Sequence, residues 1–599
     1  MILQKPLRLV HTISATCIDV RLVSSLCWKN NIKVRKLASV RPMTKLQKPE
    51  CESNGRPKAG DAQREKSLRD LVFYPQGKNC EQENDQDNAA YMAAIEVLTT
   101  LQPNKDSIRN SIDFKTNSIG LTKKYLFRSG LTLEDVEKLS IIHVSGTKGK
   151  GSTCALVESI LRQYGARTGF FSSPHLQSTN ERIRINGDPL VKPKFTHFFW
   201  QVYNRLKNSS ENHDDMPPFF MFLTIMGFHV FIAERVDVVV VEVGLGGEKD
   251  CTNIVRNVKT IGITSLALEH TELLGTTLPE VAWQKAGIIK PYAHVYTHVT
   301  QAECLKIIYD RAAKQQAKVT EVLSTEAYFK YNHYSDFLDS CNDYIRLNGA
   351  LAIQLAYDWL RQTKGHLHRD YAVNEAQMSA EVLRGLTQTH WPGRCQLVSF
   401  KNLRLHLDGA HTVESIRVCG DWFRKCTRQS QNPKILVFNR TGNSDTTAML
   451  LVLQQLCDFD MICFVPNLAN RNPMDPNQTA LNCSTEEQLE RTQLIARKWL
   501  EMCEATNQPN RGRMYSTVLD AFIDVRTRYP THIELDVLIT GSIHLLGAVI
   551  TALDDFNIEV QPTAAAAATA TDTTTATTAT TTPTAATAAI KAAVSNGPN

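Results

Sequence analysis

The sequence predicts an α/β protein of two domains. The first is built on a mostly parallel sheet with a phosphate-binding P-loop; the second is a smaller, Rossmann-like α/β domain. Three observations carry this. Apolar runs of strand length alternate with helically spaced stretches over residues 90–390 and again over 391–558, with Trp391-Pro-Gly-Arg394 as punctuation between them. Residues 236–243 (VDVVVVEV) are apolar on both faces, as a central parallel strand has to be. A glycine-rich loop at 143–153 (HVSGTKGKGST) joins a strand-like run, 139–144, to a helix-like one, 154–164.

Taken in order, residues 1–48 hold ten Lys or Arg against one acid, Asp19, among Leu, Ile, Val and Ser. That is the composition of a mitochondrial presequence, a basic tail without structure being the plainer alternative. Met43 and Met92 are placed so that alternative starts give a cytosolic form, so mitochondrial and cytoplasmic locations are both expected. The segment carries +9, which leaves −3 over the other 551 residues of a chain whose net charge is +6. Charge therefore gives no reason to expect nucleic acid as a partner. Residues 49–89 are polar and charged and read as a linker.

Helical spacing begins at Ala90, and 168–172 (TGFFS) reads as a second strand. Residues 180–190 (NERIRINGDPL) form a hairpin turning at Asn186-Gly187. Residues 219–233, interrupted by His229 and too short to span a bilayer, read as a buried helix, and no transmembrane segment is expected. A further strand is expected at 259–268 and a helix from Asn348. In the second series the strands fall at 403–407, 435–439, 461–465 and 537–540. The tail, 559–599, is dominated by Ala and Thr and is expected to be disordered. Fifteen cysteines without a CxxC pair indicate reduced, structural thiols.

A tight glycine loop between a strand and a helix N-terminus turns backbone N–H groups toward phosphate oxygens, and the helix dipole favours negative charge. Gly146, Gly149 and Gly151 let the backbone come close, Lys150 would reach the outer phosphates, and Ser152 or Thr153 would ligate Mg²⁺. Gly151 separates Lys150 from Ser152, a departure from GxxxxGK[ST], and a plain turn is the alternative. Glu242 ends the all-apolar strand where open α/β sheets bind ligands. A carboxylate in a Val run is costly unless it meets a cation or donors, so Glu242 is a Mg²⁺ ligand or an ion-paired structural acid. His270 lies past the 259–268 run in the same relation, as a metal ligand or a structural histidine. Lys285, in an apolar context, needs a partner or a modification.

The motifs GTKGKGST (146–153), SSPHL (172–176), NERIRING (180–187), VEVGLGG (241–247), DCTN (250–253), WQKAGI (283–288), WPGR (391–394) and LDGAH (407–411) occur in this order. Over residues 90–555 the chain resembles the folylpolyglutamate synthase family, which belongs with the Mur ligases among ATP-dependent amide ligases. MPPFF (216–220) and GSIHLLG (541–547) are similar to its eukaryotic branch. The resemblance implies folate polyglutamates and L-glutamate as substrates, ATP and Mg²⁺ as cofactors, K⁺ as a candidate monovalent cation, and a monomer. ATP would phosphorylate the γ-carboxylate of the folate tail, and the amine of glutamate would displace phosphate.

It also implies roles. Gly146, Thr147, Lys148, Gly149, Lys150, Gly151, Ser152 and Thr153 would hold the phosphates. Ser152, Glu242 and Ser173 would ligate the first Mg²⁺ and His270 the second. Lys285 matches a lysine the family often carries as a carbamate, the alternative being an unmodified lysine in an ion pair. Lys150, Glu242, His270 and Lys285 are thus the implied catalytic set. Asn348, Arg394, Asp408 and His411 would meet the nucleotide, with a helix N-cap as the structural alternative for Asp408. Arg440 would meet a carboxylate of the incoming glutamate. The pterin would lie against SSPHL and MPPFF, unless these are ordinary core. Glu269 precedes His270 where the family commonly has Asp, and Lys249 precedes Asp250 where Tyr or an apolar residue is usual; neither is an expected ligand.

Two rival readings stay open, a dihydrofolate synthase on the same scaffold and a nucleotide-dependent binding module without ligase activity. The second would not need LDGAH and WPGR. Fused to a fluorescent reporter, residues 1–48 are expected to direct it to mitochondria, and a diffuse reporter would contradict the presequence.

Overall fold

The computed structural model describes residues 84–101, 112–212, 215–331, 343–364, 379–441, 446–470 and 484–555. The expected presequence, the expected tail and the expected linker up to residue 83 lie outside these. A helix, Asp85–Thr100, begins five residues before the sequence pattern suggests, because the Asn84 side chain caps it by accepting from the Asp87 N–H.

Two sheets organise the rest. The first contains β1 (Ile141–Ser145), β2 (Thr168–Phe171), β3 (Ile183–Ile185), β4 (Asp188–Pro189), β5 (Val238–Glu242), β6 (Thr260–Ile263), β7 (His294–Thr297) and β8 (Lys318–Glu321). Their order is β4-β3-β2-β5-β1-β6-β7-β8, parallel from β2 to β8, with β3 and β4 as an antiparallel hairpin. Asn186 and Gly187 turn that hairpin, both at positive φ. The β5 valines alternate between two cores: Val239 and Val241 face one, Val238 and Val240 the other. Helices α1 (Lys150–Gln163), α2 (Phe219–Ala233) and α3 (Asp343–Lys364) cover the sheet, α2 on the first core and α1 with α3 on the second. α2 matches its sequence-predicted bounds, being apolar on every side.

The second sheet contains β9 (Gln396–Phe400), β10 (Leu403–Leu407), β11 (Lys434–Phe438), β12 (Met461–Phe464), β13 (Gly512–Met514) and β14 (Leu535–Thr540). Its order is β13-β12-β11-β14-β10-β9, parallel except for β9. Helices α4 (Val413–Cys426) and α5 (Ile543–Asp555) pack on opposite faces.

Two expectations shift. The helix after the glycine loop starts at Lys150, inside the motif, because the chain turns at Gly149, its N-cap, in a left-handed conformation that glycine adopts readily. The strand expected at 259–268 stops at Ile263, because Ser265 turns back to the loop: its carbonyl accepts the Thr147 N–H at 2.8 Å.

The sheets are joined by more than chain connection. Leu176, from the loop after β2, is buried in the core beneath the second sheet among Leu545, Leu546 and Val549 of α5. A Cβ at Gly547 would stand 2.2 Å from the Leu176 carbonyl oxygen, so the two backbones touch there. Gln177 Nε2 donates to Thr551 Oγ1 at 2.9 Å. The loop itself is stiffened by Glu181, whose carboxylate accepts the N–H groups of Leu176, Gln177 and Ser178. No disulfide links the nine described cysteines, in line with the reduced thiols expected. Among the described residues no helix is long and apolar enough to cross a membrane.

Candidate functional site

The glycine loop leaves β1 next to the point where strand order reverses, between β5 and β6. Each glycine is closed in by a different element. A Cβ at Gly146 (φ +144°) would fall 1.8 Å from Thr264 Oγ1, and one at Gly149 (φ +86°) 2.3 Å from Asn348 Oδ1. At Gly151 it would meet Trp391 Cζ2 at 3.0 Å and Glu242 Oε2 at 3.2 Å. The glycine that breaks the usual spacing between lysine and serine is thus the one beneath the acid and the linker tryptophan.

Glu242, at the end of β5, is 5% exposed. Burial raises its carboxyl above the ordinary range, while Lys150, the Ser173 N–H, Arg394 and Arg182 pull it down. Among the described residues its hydrogen bond comes from the Ser173 N–H at 3.0 Å, and no lysine or arginine nitrogen lies within 4.0 Å. A buried anion so placed suits a divalent cation better than an ion pair. Ser152, in the first turn of α1, is buried and lines the same cavity. No group of three His, Cys, Asp or Glu among the described residues forms a cage of its own.

Lys285 ends the helix Leu278–Lys285 and donates to the Gly146 carbonyl oxygen at 2.7 Å. Burial, with Lys150 nearby, brings its amine down to about 7. The carboxylate partner of an ion pair does not lie within 4.0 Å among the described residues. His270 sits at φ +52° in front of the short helix Thr271–Leu274, and burial lowers its imidazole below the ordinary value.

From the second sheet, Asp408 follows β10. It does not cap α4, whose N-cap is Thr412; its carboxylate accepts from Ala410 N at 2.9 Å and Cys395 N at 2.8 Å. Burial raises its carboxyl and Arg394 opposes this. His411 Nδ1 lies 2.9 Å from the Gly409 carbonyl oxygen, to which it donates, and Nε2 is turned toward the first sheet. There Nε2 stands 3.3 Å from both Lys148 Nζ and Glu269 Oε1, and Lys148 Nζ pairs with Glu269 Oε1 at 3.0 Å. Burial pushes the Glu269 carboxyl up, but His411 and Lys148 outweigh it and hold it well below the carboxylate range.

One cavity of about 550 Å³ collects Thr147, Lys148, Gly149, Lys150, Gly151, Ser152, Ser173, Glu242, His270, Asn348, Arg394, Asp408 and His411. Gly146, Thr153 and Lys285 form its second layer: Thr153 Oγ1 lies 3.4 Å from Asn348 Oδ1, and Lys285 supports the Gly146 carbonyl. Arg440, at the end of β11, does not line the cavity; its guanidinium donates to the Thr441 carbonyl oxygen. Sequence reasoning missed Glu269, Arg184 and Trp391 as lining residues. Trp391 rests on Phe170 at 5.4 Å and under Arg184 at 5.3 Å, so the linker between the sheets is fastened to the first one.

The chain is 41% identical over 400 residues to the mitochondrial folylpolyglutamate synthase of Cricetulus griseus, covering 63% of this chain and 68% of that one. It is 32% identical over 494 residues to the folylpolyglutamate synthase of Saccharomyces cerevisiae, covering 78% and 88%. In fold it is similar to the bifunctional folylpolyglutamate synthase/dihydrofolate synthase of Yersinia pestis complexed with AMPPNP and a manganese ion. That likeness has a TM-score of 0.56 at 23% identity and covers 79% of this chain and 100% of that one. No family model matches the chain.

With the Lys285 amine at about 7 in the folded protein and 10.5 in the unfolded chain, the unfolded chain binds more protons between those values. Stability contributed through Lys285 therefore rises with pH across that window. The melting temperature of the wild type is expected to rise relative to Lys285→Met between pH 6.5 and 9.5, and parallel curves would contradict the burial argument.

Proposed function

The chain belongs to the folylpolyglutamate synthase family, and we propose that it joins L-glutamate to the γ-carboxylate of tetrahydrofolate polyglutamates at the cavity between its two sheets. ATP-dependent ligation of glutamate to folate is the family's reaction, and the observation that supports it best is the convergence of residues from both sheets on one cavity. The glycine loop and Lys150 bind the triphosphate by N–H groups, helix dipole and charge. Lys150 and Arg394 offset the repulsion between the phosphates and the folate carboxylate. A carboxylate oxygen attacks the γ-phosphorus and ADP leaves. The deprotonated amine of glutamate then attacks the acyl carbon, the C–N bond forms and inorganic phosphate departs.

Ser152, Glu242 and Ser173 are proposed to hold Mg²⁺ at the loop and His270 a second ion, which when bound supply positive charge to the phosphate oxygens. K⁺ is carried only as a candidate. Asn348 and Asp408 are assigned to the nucleotide, and His411 to the phosphate end. Arg440 is proposed as a contact for a carboxylate of the incoming glutamate. Two domains, 90–390 extended back to Asp85 and 391–558, are proposed to close over the substrates to exclude water from the acyl phosphate. A monomer is proposed.

The relative's mitochondrial name and the basic segment 1–48 support import. A cytosolic form is proposed to start at Met43 rather than Met92. A start at Met92 would remove Tyr91, which is buried and packs edge-on against Phe195 at 5.3 Å.

A lysine amine near 7 is neutral often enough to add CO₂, forming an N–C bond with loss of a proton; this supports a carbamate at Lys285. Protein equilibrated with ¹³C-labelled CO₂ is expected to give a carbamate resonance that Lys285→Met lacks; no signal in the wild type would overturn it. Lys150→Ala and Glu242→Ala are each expected to lower turnover by about a thousandfold or more with the fold intact. Assays with tetrahydrofolate and dihydropteroate side by side read the acceptor. Near-wild-type turnover in both variants would defeat the site, and a preference for dihydropteroate would move the assignment to dihydrofolate synthase.

A further inference from the structure

Glu269 has no part in the reaction as described above, yet inside the cavity it bridges Lys148 of the glycine loop and His411 from the second sheet. We infer that Glu269 sets nucleotide affinity by competition: its carboxylate occupies an anion position shared by Lys148 and His411, and the phosphates of the nucleotide displace it. This rests on the ATP reading of the cavity.

The geometry is that of an internal stand-in for phosphate. A single oxygen, Glu269 Oε1, faces two nitrogens, Lys148 Nζ at 3.0 Å and His411 Nε2 at 3.3 Å. Lys148 belongs to the glycine loop, whose N–H groups and helix N-terminus are the phosphate cradle. His411 is held from behind by its Nδ1–H bond to the Gly409 carbonyl, so its Nε2 edge stays turned to the position and, carrying a proton as well, donates to whatever anion occupies it. A triphosphate in the cradle would be repelled by a carboxylate left on the loop's own lysine, and the carboxylate would in turn oppose its binding.

The side-chain length matters. Aspartate in its place would set the carboxylate back by roughly 1.5 Å, one C–C bond. The backbone could not easily follow, since Thr147 is tied to the same segment twice: its Oγ1 donates to the Ala267 carbonyl oxygen and accepts the Ala267 N–H, each at 3.1 Å. Glutamate is therefore what reaches both partners. Without nucleotide the carboxylate links the loop to the second sheet, and with nucleotide a phosphate takes over the link. Glu269 acts through Lys148 and His411 and is a positioning residue.

The test is titration of the full-length chain with AMPPNP and Mg²⁺ at fixed ionic strength, with melting curves to check folding. Glu269→Gln is expected to bind roughly three- to tenfold tighter than wild type, and Glu269→Asp to gain less in the same direction. In a Lys148→Met background the gain is expected to fall below about twofold, since the contested cation is gone. Steady-state kinetics of Glu269→Gln should show a lower KM for ATP with a smaller change in kcat, a split that a purely structural role would not produce. Equal or weaker binding by Glu269→Gln, the result expected of a metal ligand, overturns the inference, as does a gain that survives in Lys148→Met. Should Glu269→Gln fail to fold, Glu269→Asp decides by the same sign. If the wild type binds no nucleotide, the ATP reading falls, and the inference with it.

Discussion

The structure turns on one buried negative charge. Glu242 stands at the end of the most apolar strand of the first sheet, where burial alone would drive its carboxyl to hold a proton. What keeps the carboxylate tenable arrives from separate parts of the chain: Lys150 from the glycine loop, the Ser173 N–H from the loop after β2, and Arg394 from the segment leading into the second sheet. A carboxylate that leans on long-range charge rather than on a contact ion pair is poised to accept a cation. The same charge explains Gly151, since a methyl group there would press on both Glu242 and Trp391.

The second sheet is held in place by parts that also build the cavity. The loop carrying Ser173 continues to Leu176, which is buried under α5, and Gln177, which bonds Thr551. Trp391, against the glycine loop, lies between Phe170 and Arg184 of the first sheet. Displacing the sheets relative to one another would thus disturb Ser173, Glu242 and Gly151 together, a mechanical route by which an open or closed arrangement could be felt at the phosphate cradle.

Much of this was legible in the residues because burial leaves a pattern. The strand ending at Glu242 and the helix Phe219–Ala233 are apolar on all sides, and the interior strands of the second sheet were found within two residues of their ends. The strands that escaped notice are at sheet edges or next to them: β8 is Lys-Val-Thr-Glu, β13 three residues long, and β9 half exposed. An edge strand owes its pairing to one neighbour and needs little apolar surface. The cavity residues were legible as motifs, but Glu269 was not. Its partners are 121 and 142 residues away, and reach cannot be read from residue type. Arg440, expected at a carboxylate of the incoming glutamate, follows β11 outside the cavity lining and donates to the Thr441 carbonyl oxygen, a placement that residue type at a strand end does not reveal. For Asp408 the helix-cap alternative fell because Thr412 does that work, which leaves the carboxylate beside the cavity.

If one cavity built by both sheets carries the whole reaction, ATP cleavage has to be tied to ligation. The direct measurement is ADP release by the full-length chain, with tetrahydrofolate and L-glutamate added separately and together. The account predicts ADP formed one-for-one with glutamate residues added, and little release unless folate and glutamate are both present. Steady ADP release that ignores the two substrates would contradict it.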